Sequence, residues 1–66
     1  MKNRLKVERA EYNLSQAELA DRIGVSRQTI NSIETGRYVP STILALKLAQ
    51  VFGKAVEHIF MLEETD

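Results

Sequence analysis

Cysteine is absent from this sequence of 66 residues, and histidine occurs once, as His58. Without cysteine the chain forms no disulfide and no thiolate metal site, and one histidine argues against a histidine-ligated metal. A chain of this length folds as one domain with a small core, and such domains often depend on crosslinks, metals or self-association. We therefore expect self-association, with no metal or cofactor.

Long apolar runs are also missing. No segment approaches the roughly 20 apolar residues that a membrane-spanning helix needs. The first 14 residues are rich in charge, unlike a signal peptide. Gly-rich phosphate loops, paired carboxylates and a nucleophile–base set are absent as well. These absences predict a soluble cytoplasmic protein that is not an enzyme and has no membrane partner.

Net charge is zero, but the charges are unevenly distributed. All nine Lys and Arg and five of the nine acids lie in residues 1–54, so this part carries +4 and residues 55–66 carry −4. A basic body with an acidic tail suits a protein that turns one face toward phosphate. Small proteins also show such asymmetry by chance, so charge alone decides little.

Three glycines mark predicted helix ends, and three serines mark predicted starts. These residues are Gly24, Gly36, Gly53, Ser15, Ser26 and Ser41. Ser15 and Glu18 have the spacing of a capping box. The pattern predicts an all-α fold with helices at 3–12, 16–23, 27–35, 42–52 and 56–61. It divides the chain into a domain of residues 1–60 and an acidic tail of residues 61–66.

The predicted core consists of apolar residues at helical spacing. Its members are Leu5, Tyr12, Leu14, Leu19, Ala20, Ile23, Val25, Ile30, Ile33, Ala45, Leu48, Ala49, Phe52, Val56, Ile59 and Phe60. Two residues break the pattern. Glu8 falls on the apolar stripe of the first helix, and Ile43 falls on the polar face of the fourth. Ile43 is either an ordinary exposed residue or a dimer contact.

The second and third predicted helices are joined by Gly24-Val25-Ser26, and Ala20 is small enough for a close helix crossing. These are the mechanical needs of a helix-turn-helix. Ile30 and Ile33 form the apolar face of the third helix. Its other side chains are Arg27, Gln28, Thr29, Asn31 and Ser32. Such side chains can bond the edges of guanine and adenine in the major groove. A solvated face would more often carry Glu and Lys pairs, so the composition favours base readout.

Three segments carry a family resemblance: Leu14–Ala20, Ile23–Asn31 and Ile33–Gly36, followed by Pro40-Ser41. They resemble the Cro/C1-type (XRE-like) helix-turn-helix regulators, and the chain length resembles the minimal single-domain members. The resemblance covers residues 3–60. It implies a five-helix, lambda-repressor-like domain that binds DNA. One recognition helix reads only a few base pairs, so we expect a homodimer on a palindromic operator. We expect repression because no separate activation surface is visible.

The same resemblance implies roles for individual residues. Base edges would be read by Arg27, Gln28, Asn31 and Ser32, and backbone phosphates would be bound by Gln16, Arg37 and Tyr38. Thr29 would contact either a phosphate or a methyl group. Ser26 is first a helix cap and only secondarily a phosphate contact. Arg9 and Glu34 match positions that form a structural ion pair, which we assign to folding and not to readout.

The dimer surface is predicted in the last helix and the tail. Its candidate residues are Val56, Ile59, Phe60, Met61 and Leu62, to which Ile43 and the N-terminus are open additions. The resemblance leaves open a short strand within 59–64 that pairs with the N-terminal residues or with the partner chain.

Two other function classes remain open. One is an antitoxin-like protein whose acidic tail binds a partner protein, and an inducer protein is a related option. The other is a protein-interaction module that has lost DNA binding. Its mark would be acids or bulky residues at positions 27, 28 or 31, and this mark is absent.

Overall fold

Five helices and a two-stranded sheet make up the chain, which a computed structural model describes in full, over residues 1–66. The helices are α1 (Leu5–Glu11), α2 (Gln16–Ile23), α3 (Arg27–Glu34), α4 (Thr42–Phe52) and α5 (Val56–Ile59). The strands are β1 (Lys2–Asn3) and β2 (Phe60–Met61). The predicted five-helix fold is confirmed. None of these helices combines the length and the apolar character that crossing a bilayer requires.

Serine caps begin the three central helices. The hydroxyls of Ser15, Ser26 and Ser41 each accept a hydrogen bond from the backbone N–H three residues later. Gly24 ends α2 with φ 74°, a left-handed conformation that costs glycine little because it has no Cβ. The bounds of α2 and α4 therefore agree with the predicted ones.

The first and last helices are shorter than predicted because the chain ends form a sheet. β1 and β2 are antiparallel, with Lys2 opposite Met61 and Asn3 opposite Phe60. The backbone becomes extended at Phe60 (φ −120°, ψ 130°), so α5 ends at Ile59, two residues before its predicted end. The sequence left open a short strand within residues 59–64, and this strand is present as β2. It pairs with the N-terminal segment of the same chain. β2 crosses the predicted boundary between residues 60 and 61.

One apolar core lies between the helices. Its buried members are Leu5, Leu14, Leu19, Ala20, Ile23, Ile30, Ile33, Leu44, Leu48, Ala49, Phe52, Ile59 and Phe60. Leu44 was not among the predicted core residues, while Val25, Ala45 and Val56 are half-buried. Tyr12 was predicted to be interior but is 45% exposed. Its ring packs edge-on against Phe52, and its hydroxyl donates to the Phe52 carbonyl oxygen (2.7 Å), which places it at the rim of the core.

Glu8 is buried, with 2% of its surface exposed, although it is charged. It accepts a hydrogen bond from the Lys54 ammonium, which also approaches Glu11 at 3.5 Å. The hydrogen bond to Glu8 raises the pKa of Lys54. The residue that broke the apolar stripe of α1 therefore anchors the connection between α4 and α5.

The structure withdraws one residue from the predicted dimer surface and nearly withdraws another. Ile59 is fully buried in the core of its own chain, and Phe60 is buried except for an edge that lines a surface groove. Val56 and Met61 remain half-buried, and Leu62 is 83% exposed. The other open candidate, Ile43, is exposed on α4, and it lines a cleft beside α3.

Candidate nucleic-acid interface

The turn between α2 and α3 is held by backbone and core contacts. The Val25 N–H donates to the Ala20 carbonyl oxygen (3.0 Å), and Ala20 is buried in the core. Val25 packs against the same core. The two helices are thus locked at a fixed angle, as a helix-turn-helix requires.

α3 has one buried face and one polar face. Ile30 and Ile33 anchor the helix in the core. The polar face exposes Arg27, Gln28 and Asn31. An anchored helix with an exposed hydrogen-bonding face can enter a groove without being distorted.

Three further predicted DNA-binding residues are half-buried or hydrogen-bonded within the chain. Thr29 and Ser32 are half-buried. The Ser26 hydroxyl accepts from the Thr29 N–H (3.1 Å) and lies 3.0 Å from the Thr29 hydroxyl. Ser26 is therefore a helix cap in this structure, as the sequence predicts.

Gln16, the first residue of α2, lies against the exposed face of α3. Its Oε1 accepts from Arg27 Nη1 at 3.1 Å, and its Nε2 donates to Asn31 Oδ1 at 3.1 Å. Three predicted DNA-binding residues are thereby joined into one surface. The sequence predicts DNA contacts for all three residues but not these contacts among them, which depend on how α2 crosses α3.

The predicted ion pair between Arg9 and Glu34 is present. Arg9 donates from Nε (2.7 Å) and Nη2 (3.3 Å) to the two carboxylate oxygens, and these bonds raise the pKa of Arg9. The sequence did not predict that Glu34 Oε1 also accepts from Gln16 Nε2 at 3.0 Å. The pair is therefore linked to the polar surface of α3. Glu34 is the one acid on α3, and Arg9 balances its charge.

The loop after α3 holds Arg37 and Tyr38, which are both exposed. Their backbone N–H groups donate to the Ser32 carbonyl oxygen at 2.9 and 3.2 Å, so the loop is fastened to the last turn of α3. The chain turns at Gly36, whose φ of 78° suits glycine. The two side chains thus lie next to α3 without joining its hydrogen-bonded network.

A cleft of about 660 Å³ lies between α3 and α4. Gln28, Thr29 and Tyr38 line it on one side, and Ile43 and Lys47 line it on the other. Lys47 was not predicted as a site residue. The sequence did place Lys47 four residues after Ile43, on the polar face of α4, and this spacing puts both side chains on the same side of the helix.

The candidate site lies within a region that matches known proteins. The helix-turn-helix family model matches residues 5–59. An uncharacterized HTH-type transcriptional regulator of Methanocaldococcus jannaschii is 53% identical over 66 residues, which is 100% of both chains. The HTH-type regulator YgzD of Bacillus subtilis is 48% identical over 64 residues, or 97% of each chain.

Among solved structures, the SOS-response transcriptional repressor LexA from Eubacterium rectale has the same fold. It superposes with a TM-score of 0.80 at 27% identity, over 94% of this chain and 66% of that chain. The family match extends from α1 to α5, so it includes every residue of the candidate site.

Proposed function

The chain belongs to the helix-turn-helix family of DNA-binding transcriptional regulators, and from that premise we propose that it is a sequence-specific homodimeric repressor. The observation that carries the proposal is the continuous surface that Gln16 of α2 forms with Arg27 and Asn31 of α3, a helix anchored in the core. A bound dimer would cover a promoter and exclude polymerase. In this proposal the protein acts in the cytoplasm, where it meets the DNA.

Base readout is assigned to the polar face of α3. Arg27 would bond guanine O6 and N7, while Gln28 and Asn31 suit adenine, and Ser32 takes either role. Exposure supports the first three assignments, since these side chains project from the domain. Ser32 is half-buried, so its contact would be confined to the edge of the groove.

Phosphate binding is assigned to residues on both sides of α3. Gln16, Ser26 and Thr29 lie near helix N-termini, where free N–H groups and the helix dipole favour anions. On the other side, Arg37, Tyr38 and Lys47 flank α3. We add Lys47 to the predicted set because it borders the same cleft as Thr29 and Tyr38.

The homodimer is assigned to the face that carries Val56, Met61 and Leu62. An apolar groove of about 240 Å³ on this side is lined by Val56, Val39 and Leu46, among others. The domain measures 32 × 22 × 20 Å, and in such a dimer the two copies of α3 would have to lie roughly 34 Å apart to reach half-sites one helical turn apart. In this proposal residues 1–60 bind DNA and residues 61–66 extend the dimer surface.

The test is selection of binding sites from a random duplex library at a stated salt concentration near physiological. We expect an enriched near-palindrome with half-sites about 10 base pairs apart. Absence of enrichment, with weak and salt-sensitive binding, would refute sequence-specific repression. That result would favour the partner-protein alternative, in which the exposed acids Glu57, Glu63 and Glu64 bind another protein.

A further inference from the structure

We propose that Glu34 is a positioning residue for DNA readout, which acts through Gln16 on the side chains of Arg27 and Asn31. The inference rests on the proposed function, because it concerns how the same surface distinguishes one base pair from another. It goes beyond the folding role that the sequence predicts for the ion pair between Arg9 and Glu34.

The Glu34 carboxylate is held in a fixed orientation. Arg9 donates to both of its oxygens, and Arg9 Nη1 also donates to the Leu14 carbonyl oxygen at 2.9 Å. Only 4% of the Glu34 side chain is exposed. A two-point bond between a guanidinium and a carboxylate fixes direction as well as distance. Glu34 therefore presents an immobile acceptor to Gln16.

An ionised carboxylate can only accept hydrogen bonds, whereas the Gln16 amide has one accepting end and one donating end. Gln16 Nε2 donates to Glu34 Oε1 (3.0 Å). This bond turns the other end of the amide, Gln16 Oε1, toward Arg27 Nη1 (3.1 Å). The opposite amide orientation would set oxygen against carboxylate and NH₂ against guanidinium. Glu34 thus selects one of two orientations of Gln16.

This selection determines which groups face the DNA. Gln16 Nε2 also donates to Asn31 Oδ1, so the oxygen of Asn31 is engaged and its NH₂ has no partner within the chain. Arg27 uses one N–H on Gln16 and retains the others. Both side chains therefore present donors. We expect guanine O6 and N7 beneath Arg27 and adenine N7 beneath the Asn31 NH₂, while Asn31 Oδ1 keeps a second lone pair for the adenine N6 amine.

The test compares two matched double variants, Arg9→Met/Glu34→Met and Arg9→Met/Glu34→Gln. Methionine and glutamine have similar length, but only glutamine offers an oxygen to Gln16 Nε2. Replacing both charges together avoids leaving one charge unpaired, which by itself destabilises a protein. Circular dichroism melting identifies a temperature at which both variants are folded.

Fluorescence anisotropy then measures affinity for the selected operator and for operators changed at one base pair beneath Arg27 or Asn31. We expect the methionine variant to lose at least about fivefold in discrimination at these positions, and to lose less affinity for random duplex than for the selected operator. The glutamine variant should recover part of it. Equal discrimination by both variants would overturn the inference. Wild-type protein that does not discriminate would instead refute the proposed function, and the inference with it.

A second measurement needs no change to the ion pair. If Glu34 holds Gln16, the NMR order parameter of the Gln16 side-chain amide should approach that of rigid backbone, about 0.85. A value below about 0.6 would show a mobile amide and would overturn the inference.

Discussion

Arg27 and Arg37 carry the same charge but occupy different parts of the proposed interface. Arg27 begins α3 and is held by Gln16, whereas Arg37 lies in the exposed loop after α3. We expect Arg27→Ala to cost about 1–3 kcal/mol of binding free energy at the preferred operator, because a two-point contact with guanine is lost. Competition among operators changed at single base pairs would measure the relaxed preference.

Arg37→Ala is the matched control for that experiment. It should weaken binding to every duplex alike and flatten the salt dependence of binding by about one unit, as loss of a phosphate contact does. If Arg27→Ala leaves the ratio of operator to random-duplex affinity unchanged, the assignment of base readout to Arg27 is wrong.

Lys54 offers a test of stability at a single residue. Lys54→Met would leave the buried Glu8 carboxylate without its cation, so we expect a lower urea midpoint of unfolding. The double variant Glu8→Met/Lys54→Met removes the buried charge as well, and its midpoint should lie above that of Lys54→Met. A double variant no more stable than the single one would show that the carboxylate does not need Lys54.

The start of α2 has a pH-dependent cap. The Glu18 carboxylate accepts from the Ser15 N–H at 2.9 Å, and this bond lowers the pKa of Glu18 below its ordinary value of 4.5. A carboxyl group with a lowered pKa in the folded state stabilises the fold above its ordinary pKa, and this stability is lost as the pH falls through the lowered value. We expect wild type to exceed Glu18→Gln in urea midpoint at pH 7 and the difference to shrink below about pH 4.

Asp21→Asn is the control for the cap, since Asp21 is an exposed carboxylate on the same helix. The urea midpoint of Asp21→Asn should equal that of wild type at pH 7 and at pH 3. A difference between wild type and Glu18→Gln that persists undiminished at pH 3 would assign the effect to something other than ionisation of Glu18.

At the level of elements, the sequence predicts the helices with local caps better than the chain ends. Ser15, Ser26 and Ser41 act over three residues, so their effect is readable from spacing alone. β1 and β2 contribute two residues each and show no usable alternation. Their pairing depends on bringing the two ends of the chain together, which no local pattern reports.

For the whole molecule, the proposed dimer can be tested at Leu62, which is 83% exposed and therefore replaceable without disturbing the core. Leu62→Glu should shift sedimentation velocity profiles from dimer toward monomer, because a charge would be placed in an apolar contact. Val7→Glu is the control, since Val7 is an exposed apolar residue on α1 that does not line the apolar groove. If both variants sediment as wild type does, the dimer surface lies elsewhere or is absent.

Apolar periodicity, caps and glycines in the sequence were sufficient to predict five helices, the helix-turn-helix and the polar face of α3. These features depend on residues three or four apart, and such spacing is visible in a linear chain. The ion pair of Arg9 and Glu34 was predictable only through resemblance to a family.

The tertiary structure decided the rest. Glu8 and Lys54 are 46 residues apart, and Gln16 is separated from Glu34 by 18, so their contacts depend on how the helices pack. Helix packing likewise buries Ile59 and Phe60, which the sequence had placed on the dimer surface. Periodicity reports which side of a helix is apolar, but it does not tell whether that side is covered by the same chain or by a partner.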